Sequence, residues 1–566
     1  MDVLYFRHQS DSRYCYSVSD HEVLLRLAVA KIQPVEKVEV VYGNQMTFGR
    51  QHEAKPMEVV YDDGTFLYYQ TIISGKPPRF HYVFRIRQNG ETLYFSESGL
   101  THDYEFDLAF LSAFQMIGEN RTDFVLPKPA WRGRLIYQIF PERFASHGDP
   151  KNKPYVNRDW KSHQLGGNAF LGGDLYGVID HLDYLSSLGV GAIYLNPIHP
   201  APSNHKYDVL DYFDVDPGFG GKDAFRKLVE EAHRRDIKII LDMVFNHTSF
   251  RHPFFEDVKK QGRNSPYYDF YMIHGNKPNP MTKNYETFSH VPWMPKLDTS
   301  NPKVQDYLIS VASYWMNEFH VDGFRLDVCE GVSHECWMRL KMALQRMDPD
   351  ILLIGEIWLN SESYLGPHQI DGLMNYPLLG VVSAYVLNQK DAAQIALSLQ
   401  GVLVRYKEGH NECMLNLLSG HDIQRFMNLV KGNKNDVLLA YALLYFFPGM
   451  PCLYYGDEIF TPGGGDPDCR RAMDWESEEF HGHGFALFQK MGCLKRDTKA
   501  LREGKLFISS EGPLLKLTRA LGNEIYTLYL NHSGNEVAFP FPALLSNGLE
   551  NGKLATSGFA IVKETI

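Results

Sequence analysis

Eight apolar, strand-like runs alternate with amphipathic helical periods over residues 123–501, and that alternation predicts a (β/α)8 TIM barrel. Short β-rich runs ahead of it, in residues 1–122, predict an N-terminal β-sandwich. A stretch rich in Pro, Asn and Tyr, residues 248–301, is too long for a simple loop and predicts an inserted B domain after the third barrel strand. Residues 502–566 return to β-rich runs and predict a small C-terminal β-sandwich. The fold class is therefore α/β, with 566 residues too many for one hydrophobic core. A doubly wound open sheet is the other pattern of this kind, but no GxGxxG follows a strand.

In the leading segment, EVLLRLAVA (from Glu22), KVEVVYG (from Lys37) and FLYYQTIIS (from Phe66) are strand-like and bounded by Gly, Pro and Asp. Asn89-Gly90 between two further β-rich runs signals a tight hairpin turn. Val125-Leu126-Pro127-Lys128-Pro129 reads as a linker. The barrel strands are then RLIYQIF (134–140), GAIYLNP (191–197), IKIILDMVFNH (237–247), GFRLDV (323–328), ILLIGEI (351–357), DGLMNY (371–376), CMLNLLS (413–419) and PCLYYG (451–456). Helical periods lie between them, as in DAFRKLVEEAHRRD from Asp223 and VQDYLISVASYWMNEFH from Val304, while the fifth-to-sixth connection lacks a clear helix. FALFQKMGCLKRDTKAL (485–501) is the last barrel helix.

Bulk properties narrow the function. A formal net charge of -11 argues against nucleic acid or an anionic membrane as partner. No apolar run approaches the ~18 residues of a membrane span, and the first residues, MDVLYFRHQSDSR, contain no apolar run long enough for the core of a signal peptide. Seven cysteines without a CxxC pair read as reduced thiols in a cytoplasmic protein.

Polar groups gather at the C-terminal strand ends, where barrel active sites lie: Asp242 and His247, Arg325 and Asp327, Glu356, and His421 with Asp422. Strand alternation places Arg325 and Asp327 on one face, and a guanidinium beside a carboxylate is expected to lower its pKa and keep it ionised, as a nucleophile requires. Glu356, between an apolar run and Trp358, suits a proton donor whose pKa is raised. A third carboxylate, Asp422, suits hydrogen bonds to sugar hydroxyls, although an Asp at that point also reads as a helix N-cap. Taken singly, each is as well explained as an ion pair or a buried structural group. Together, several carboxylates at one mouth are costly as structure and match the needs of glycoside cleavage.

The motifs DMVFNH (242–247), DGFRLDV (322–328), GEIW (355–358), GHD (420–422) and MPKL (294–297) resemble those of the α-amylase superfamily, in its neopullulanase, cyclomaltodextrinase and maltogenic amylase branch. The stretches from Asn196 to Gly220 and from Pro448 to Trp475 are similar as well, so the resemblance covers essentially the whole chain. It implies a retaining hydrolase of α-1,4-glucosidic bonds, with some α-1,6 cleavage, acting on cyclomaltodextrins, maltooligosaccharides and pullulan and releasing maltose, panose and glucose. Asp327 would be the nucleophile, Glu356 the acid/base and Asp422 the transition-state stabiliser. His247, Arg325 and His421 would line the subsite of the sugar at the cut, Tyr207 would stack on that sugar, Asp242 and Trp358 would also bind substrate, and Asp466 with Arg470 would contact the next glucose on the non-reducing side. No cofactor would be required, and a homodimer through the N-terminal domain would narrow the site. The same chemistry used mainly for transglycosylation is an alternative reading, and a non-catalytic carbohydrate-binding protein on the same fold is another.

Three departures from the branch pattern stand out. His147 and Lys153 occupy positions where an amide and a carboxylate would ligate calcium, leaving Asp149, Asn152, Gly172 and Asp174 as a partial set. The expectation is that the Lys153 ammonium replaces the ion, with weak calcium binding as the alternative. Val328-Cys329-Glu330-Gly331 replaces a common Val-Ala-Asn-Glu, so an acceptor-side carboxylate has moved or gone. Leu359 follows Trp358 where His is common.

Overall fold

The computed structural model describes residues 3–75, 79–116, 120–125, 128–359 and 361–565. Leu126 and Pro127 of the linker lie outside them. The chain divides into two compact units: Met1–Pro127, Ala392–Asn411 and Ile508–Ser510 in one, and Lys128–Asp391, Glu412–Phe507 and Glu511–Ile566 in the other.

The first unit carries a five-stranded and a six-stranded antiparallel sheet. Alternating side chains of Glu22–Ala30 (Val23, Leu25, Leu27) and of Phe80–Gln88 (Phe80, Tyr82, Phe84) share one buried cluster, so the two sheets form a sandwich. Asn89 and Gly90 both adopt positive φ (52° and 78°), the primed turn that the twist of a hairpin favours.

The second unit is built on eight parallel strands: β1 (Leu135–Ile139), β2 (Val190–Leu195), β3 (Lys238–Met243), β4 (Gly323–Leu326), β5 (Leu352–Gly355), β6 (Gly372–Leu373), β7 (Leu415–Leu417) and β8 (Met450–Tyr454). They pair in the order β6-β5-β4-β3-β2-β1-β8-β7. The ring closes where Met374 bridges Leu415 in parallel and the Asn375 N–H donates to the Leu415 carbonyl at 2.8 Å. That seam needs a residue without a Cβ at Gly372, where one would lie 1.9 Å from the Cys413 carbonyl oxygen. Alternate side chains, including Ile136, Ala192, Ile240, Ile354, Leu415 and Cys452, fill the barrel interior. The fifth-to-sixth connection has only the 3-10 turn Glu362–Tyr364 among the described residues. The last barrel helix is broken in two, His483–Asp497 and Lys499–Glu503. The segment after β3 forms a helix, Pro253–Gln261, then folds back through isolated bridges such as His247 to Lys296. Lys505 to Thr565 supply a further antiparallel sheet of six strands.

Candidate active site

Strand register assembles the polar cluster. Asp242, near the end of β3, pairs with Arg325 of β4, and Asp327 and Glu356 follow the last residues of β4 and β5. Arg325 is fully buried and points inward. Its Nη1 donates to Asp242 Oδ1 (2.8 Å) and Asp327 Oδ1 (2.9 Å), and its Nη2 meets Glu356 Oε2 (2.9 Å) and Asp422 Oδ2 (3.8 Å). One guanidinium therefore serves four carboxylates. Asp327 and Glu356 thus reach the same guanidinium from adjacent strands, which makes the two carboxyls near neighbours at the barrel mouth.

Arg325 does not hold Asp327 low, contrary to the expectation from the pair alone. Burial pushes the Asp327 carboxyl well above its usual value; the shared guanidinium only partly offsets this, and Glu356, Asp242 and Asp422 add to the rise. Burial also raises Glu356, with Arg325 opposing and Asp422 reinforcing. Two such groups hold one proton between them more tightly than isolated carboxyls would. Burial acts upward on Asp422 as well, but His421, Arg325 and Arg470 outweigh it and hold that carboxyl below the usual range. Val328 sits at φ 45°, ψ 51°, a costly conformation for a β-branched residue, and thereby aims its N–H at Glu356 Oε2 (3.0 Å).

A cavity of about 470 Å3 opens over Asp327, Glu356 and Asp422, walled in addition by His205, Tyr207, His247, Trp358, Asp466 and Arg470. His247 is neutral, its pKa lowered to about 3 by burial. With Asn246 Nδ2 against its Nδ1 (3.2 Å), the ring proton falls on Nε2, which has no hydrogen-bond partner among the described residues. Trp358 stacks on Tyr376 with ring centres 4.3 Å apart. Arg470 Nη1 reaches Asp466 Oδ1 (3.0 Å) and its Nε donates to the His421 carbonyl (2.8 Å).

Asp242 and His421 lie behind that wall. Asp242 accepts from the Tyr194 (2.6 Å) and Tyr207 (2.8 Å) hydroxyls as well as from Arg325. His421 is held by Gln138 Nε2 (2.9 Å) and contacts the Tyr207 hydroxyl (2.5 Å) and Asp422 Oδ2 (2.9 Å). Both position neighbours that do face the cavity. Sequence reasoning missed Phe288, which stacks on His247 at 5.1 Å, and Trp293, although the inserted segment that carries them was singled out. Glu330, from the departing stretch Val328-Cys329-Glu330-Gly331, is exposed on the cavity wall.

The calcium-type set is held differently. Lys153 Nζ donates to Ser146 Oγ (2.9 Å), the Gly172 carbonyl and Asp174 Oδ2. Asp174 also caps the helix Leu175–Asp180 through Gly177 N–H (2.6 Å), and Asp149 accepts from Lys151 N–H (2.9 Å). Two of the four candidate oxygens, the Gly172 carbonyl and Asp174 Oδ2, face an ammonium, and hard calcium wants six or more oxygens, so this set fits a lysine better than the ion. Among the described residues no group of three or more His, Cys, Asp or Glu side chains is arranged to hold a metal.

Residues 138–499 match the family profile "Alpha amylase, catalytic domain", and residues 3–117 match "Alpha amylase, N-terminal ig-like domain". The chain belongs to the α-amylase family. It is 37% identical to a cyclomaltodextrinase of Geobacillus thermopakistaniensis over 94% of this chain and 92% of that protein. It is 36% identical to neopullulanase 2 of Thermoactinomyces vulgaris over 94% and 91%. A solved cyclomaltodextrinase structure superposes with a TM-score of 0.89 at 31% identity, covering 100% of this chain and 98% of that one. The chain is accordingly a glycoside hydrolase with carbohydrate substrates. No helix among the described residues is long and apolar enough to cross a membrane.

Proposed function

We propose that the protein is a retaining hydrolase that opens cyclomaltodextrins and cleaves linear maltooligosaccharides and pullulan, releasing mainly maltose and panose. The observation that carries this reading is the sharing of one buried guanidinium by Asp327, Glu356 and Asp422 under a sugar-sized cavity. We assign the pair's one proton to Glu356, because Asp327 has to be ionised to attack the anomeric carbon. Asp327 attacks the anomeric carbon as Glu356 protonates the departing oxygen. Glu356 then removes a proton from water, which displaces Asp327 from the glycosyl intermediate. Asp422, kept ionised, binds sugar hydroxyls as the ring flattens, and His247 Nε2–H donates to another. Arg325, Asp242, Tyr207 and His421 hold these groups in place, while Asp466 with Arg470 would bind the next sugar on the non-reducing side.

Product analysis with β-cyclodextrin and soluble starch side by side tests the reading. Rapid maltose release from the ring, slower attack on starch and no turnover by Asp327→Asn are expected. Glu356→Gln should lose on the order of 10²–10⁴-fold in rate. Fast starch cleavage would mean an ordinary endo-amylase, and no activity from folded protein would overturn the assignment. Glu330 and the exposed Trp358 on the cavity wall favour retention of an acceptor sugar, which supports a second outcome, transglycosylation. The ratio of transfer to hydrolysis at high maltose measures it.

We read residues 1–122 as a carbohydrate-binding-like sandwich that also dimerises the protein, 123–501 as the catalytic barrel with its 248–301 insertion, and 502–566 as the C-terminal domain. Exposed Leu108, Phe110 and Leu111 support the dimer. All seven cysteines are free thiols, which supports a reducing, cytoplasmic setting. Calcium is not needed in this reading, because the Lys153 ammonium neutralises Asp174.

A further inference from the structure

Two cavities meet at Trp293. The first holds the three carboxylates. The second, about 660 Å3, lies beyond the Asp466–Arg470 pair and is lined by Gly166, Asn168, Ser203, Phe250 and Arg251. His205, Trp293, Asp466 and Arg470 wall both. The second chamber is larger than the one that receives the sugar being cleaved.

Trp293 is 59% exposed, and no ring of the described residues stacks on it. Its backbone is fixed nonetheless. Its carbonyl accepts from the Phe250 N–H (2.8 Å), and the turn around it is closed by Met294 N–H to the Val291 carbonyl (3.0 Å). An indole left in water on a rigid backbone leaves apolar surface unused and keeps few rotors to freeze when something covers it. The C–H faces of a pyranose match it, while Ser203, Asn168 and Arg251 offer hydroxyl, amide and guanidinium partners to sugar hydroxyls across the chamber.

We propose that this second chamber binds the third and following glucose units of an α-glucan on the Asp466–Arg470 side, with Trp293 as its stacking platform. The inference rests on the reading of the first cavity as the cleavage site. Its consequence is a specificity that grows with chain length after the first cavity is filled.

The test is kcat/KM for maltotriose and maltohexaose in the wild type and three variants. Trp293→Ala removes the platform, and Trp293→Phe keeps an aromatic face. Gly166→Trp fills the chamber from the opposite wall, where an added Cβ meets nothing within 4 Å. The maltohexaose-to-maltotriose ratio should fall about tenfold in Trp293→Ala and in Gly166→Trp, and Trp293→Phe should recover most of it. In the inactive Asp327→Asn background, adding Trp293→Ala should weaken maltohexaose binding by a similar factor. A ratio unchanged in both chamber variants, or an equal loss at both lengths, overturns the proposal while the cleavage reading stands. A wild type that cleaves neither glucan removes both readings together.

Discussion

Arg325 shows how one residue's surroundings reverse a rule that holds for a pair. An isolated Arg–Asp contact depresses the acid, but a buried guanidinium divided among four carboxylates leaves Asp327 and Glu356 raised. Only the fold brings the other three carboxylates within reach. A second buried acid, outside the cleft, offers a cleaner readout of the same physics. Glu458 is wholly buried and accepts from the Tyr137 hydroxyl of β1 (2.6 Å) and from the Tyr184 hydroxyl. Burial pushes its carboxyl from 4.5 up to about 7. The native state therefore holds a proton that the unfolded chain releases. The resulting stabilisation is fully present below pH 4.5 and is lost as pH rises through 7, about 3 kcal/mol in all. Glu458→Gln, which keeps an acceptor for both tyrosines, should flatten unfolding free energy over that window relative to the wild type. Urea titrations at pH 4.5 and pH 8 measure the difference; an unchanged slope would refute the assignment.

At the scale of elements, the eight strands and the long helices were legible because buried parallel strands read as apolar runs and the helices between them keep a 3.6-residue period. Gly221–His233 and Pro302–Phe319 fall where periodicity placed them. The closing seam was not legible: β6 has two residues and β7 three, and nothing in DGLMNY distinguishes a barrel seam from a turn. The catalytic candidates could be named since strand ends and carboxylates are both visible in a sequence. Phe288 and Trp293 could not, because an irregular insertion has no period from which a facing direction follows. The segment Ser146–Asp174 lies between these extremes. Its odd Lys153 was visible, and its ammonium lies among Ser146, Gly172 and Asp174, with Lys153 and Asp174 only 19% and 6% exposed. Removing one partner of so enclosed a pair strands a charge, so Lys153→Ala should cost about 3 kcal/mol. That variant should regain stability when calcium is added, whereas the wild type should melt at the same temperature with or without a chelator. One tightly held calcium per wild-type chain after dialysis would overturn the substitution.

For the molecule as a whole, a net charge of -11 opposes self-association, so any stable dimer needs apolar area to offset it. The N-terminal unit supplies a source. Phe106–Leu111 buries Ala109 but leaves Leu108, Phe110 and Leu111 at 48%, 62% and 70% exposure. Three large apolar side chains on one short turn exceed the scattered exposure normal for a monomer. Light scattering should accordingly give about twice the 65.0 kDa of one chain at micromolar concentration. Replacing Phe110 and Leu111 together by Asp adds two charges per chain to the same turn and should shift the mass to that of one chain, with circular dichroism unchanged. The cyclodextrin-to-starch rate ratio provides the functional readout, since a partner that narrows the site would exclude the larger substrate. A wild type of one-chain mass at every concentration would remove the dimer, and a dimer whose dissociation leaves that ratio untouched would remove its role in selecting small substrates.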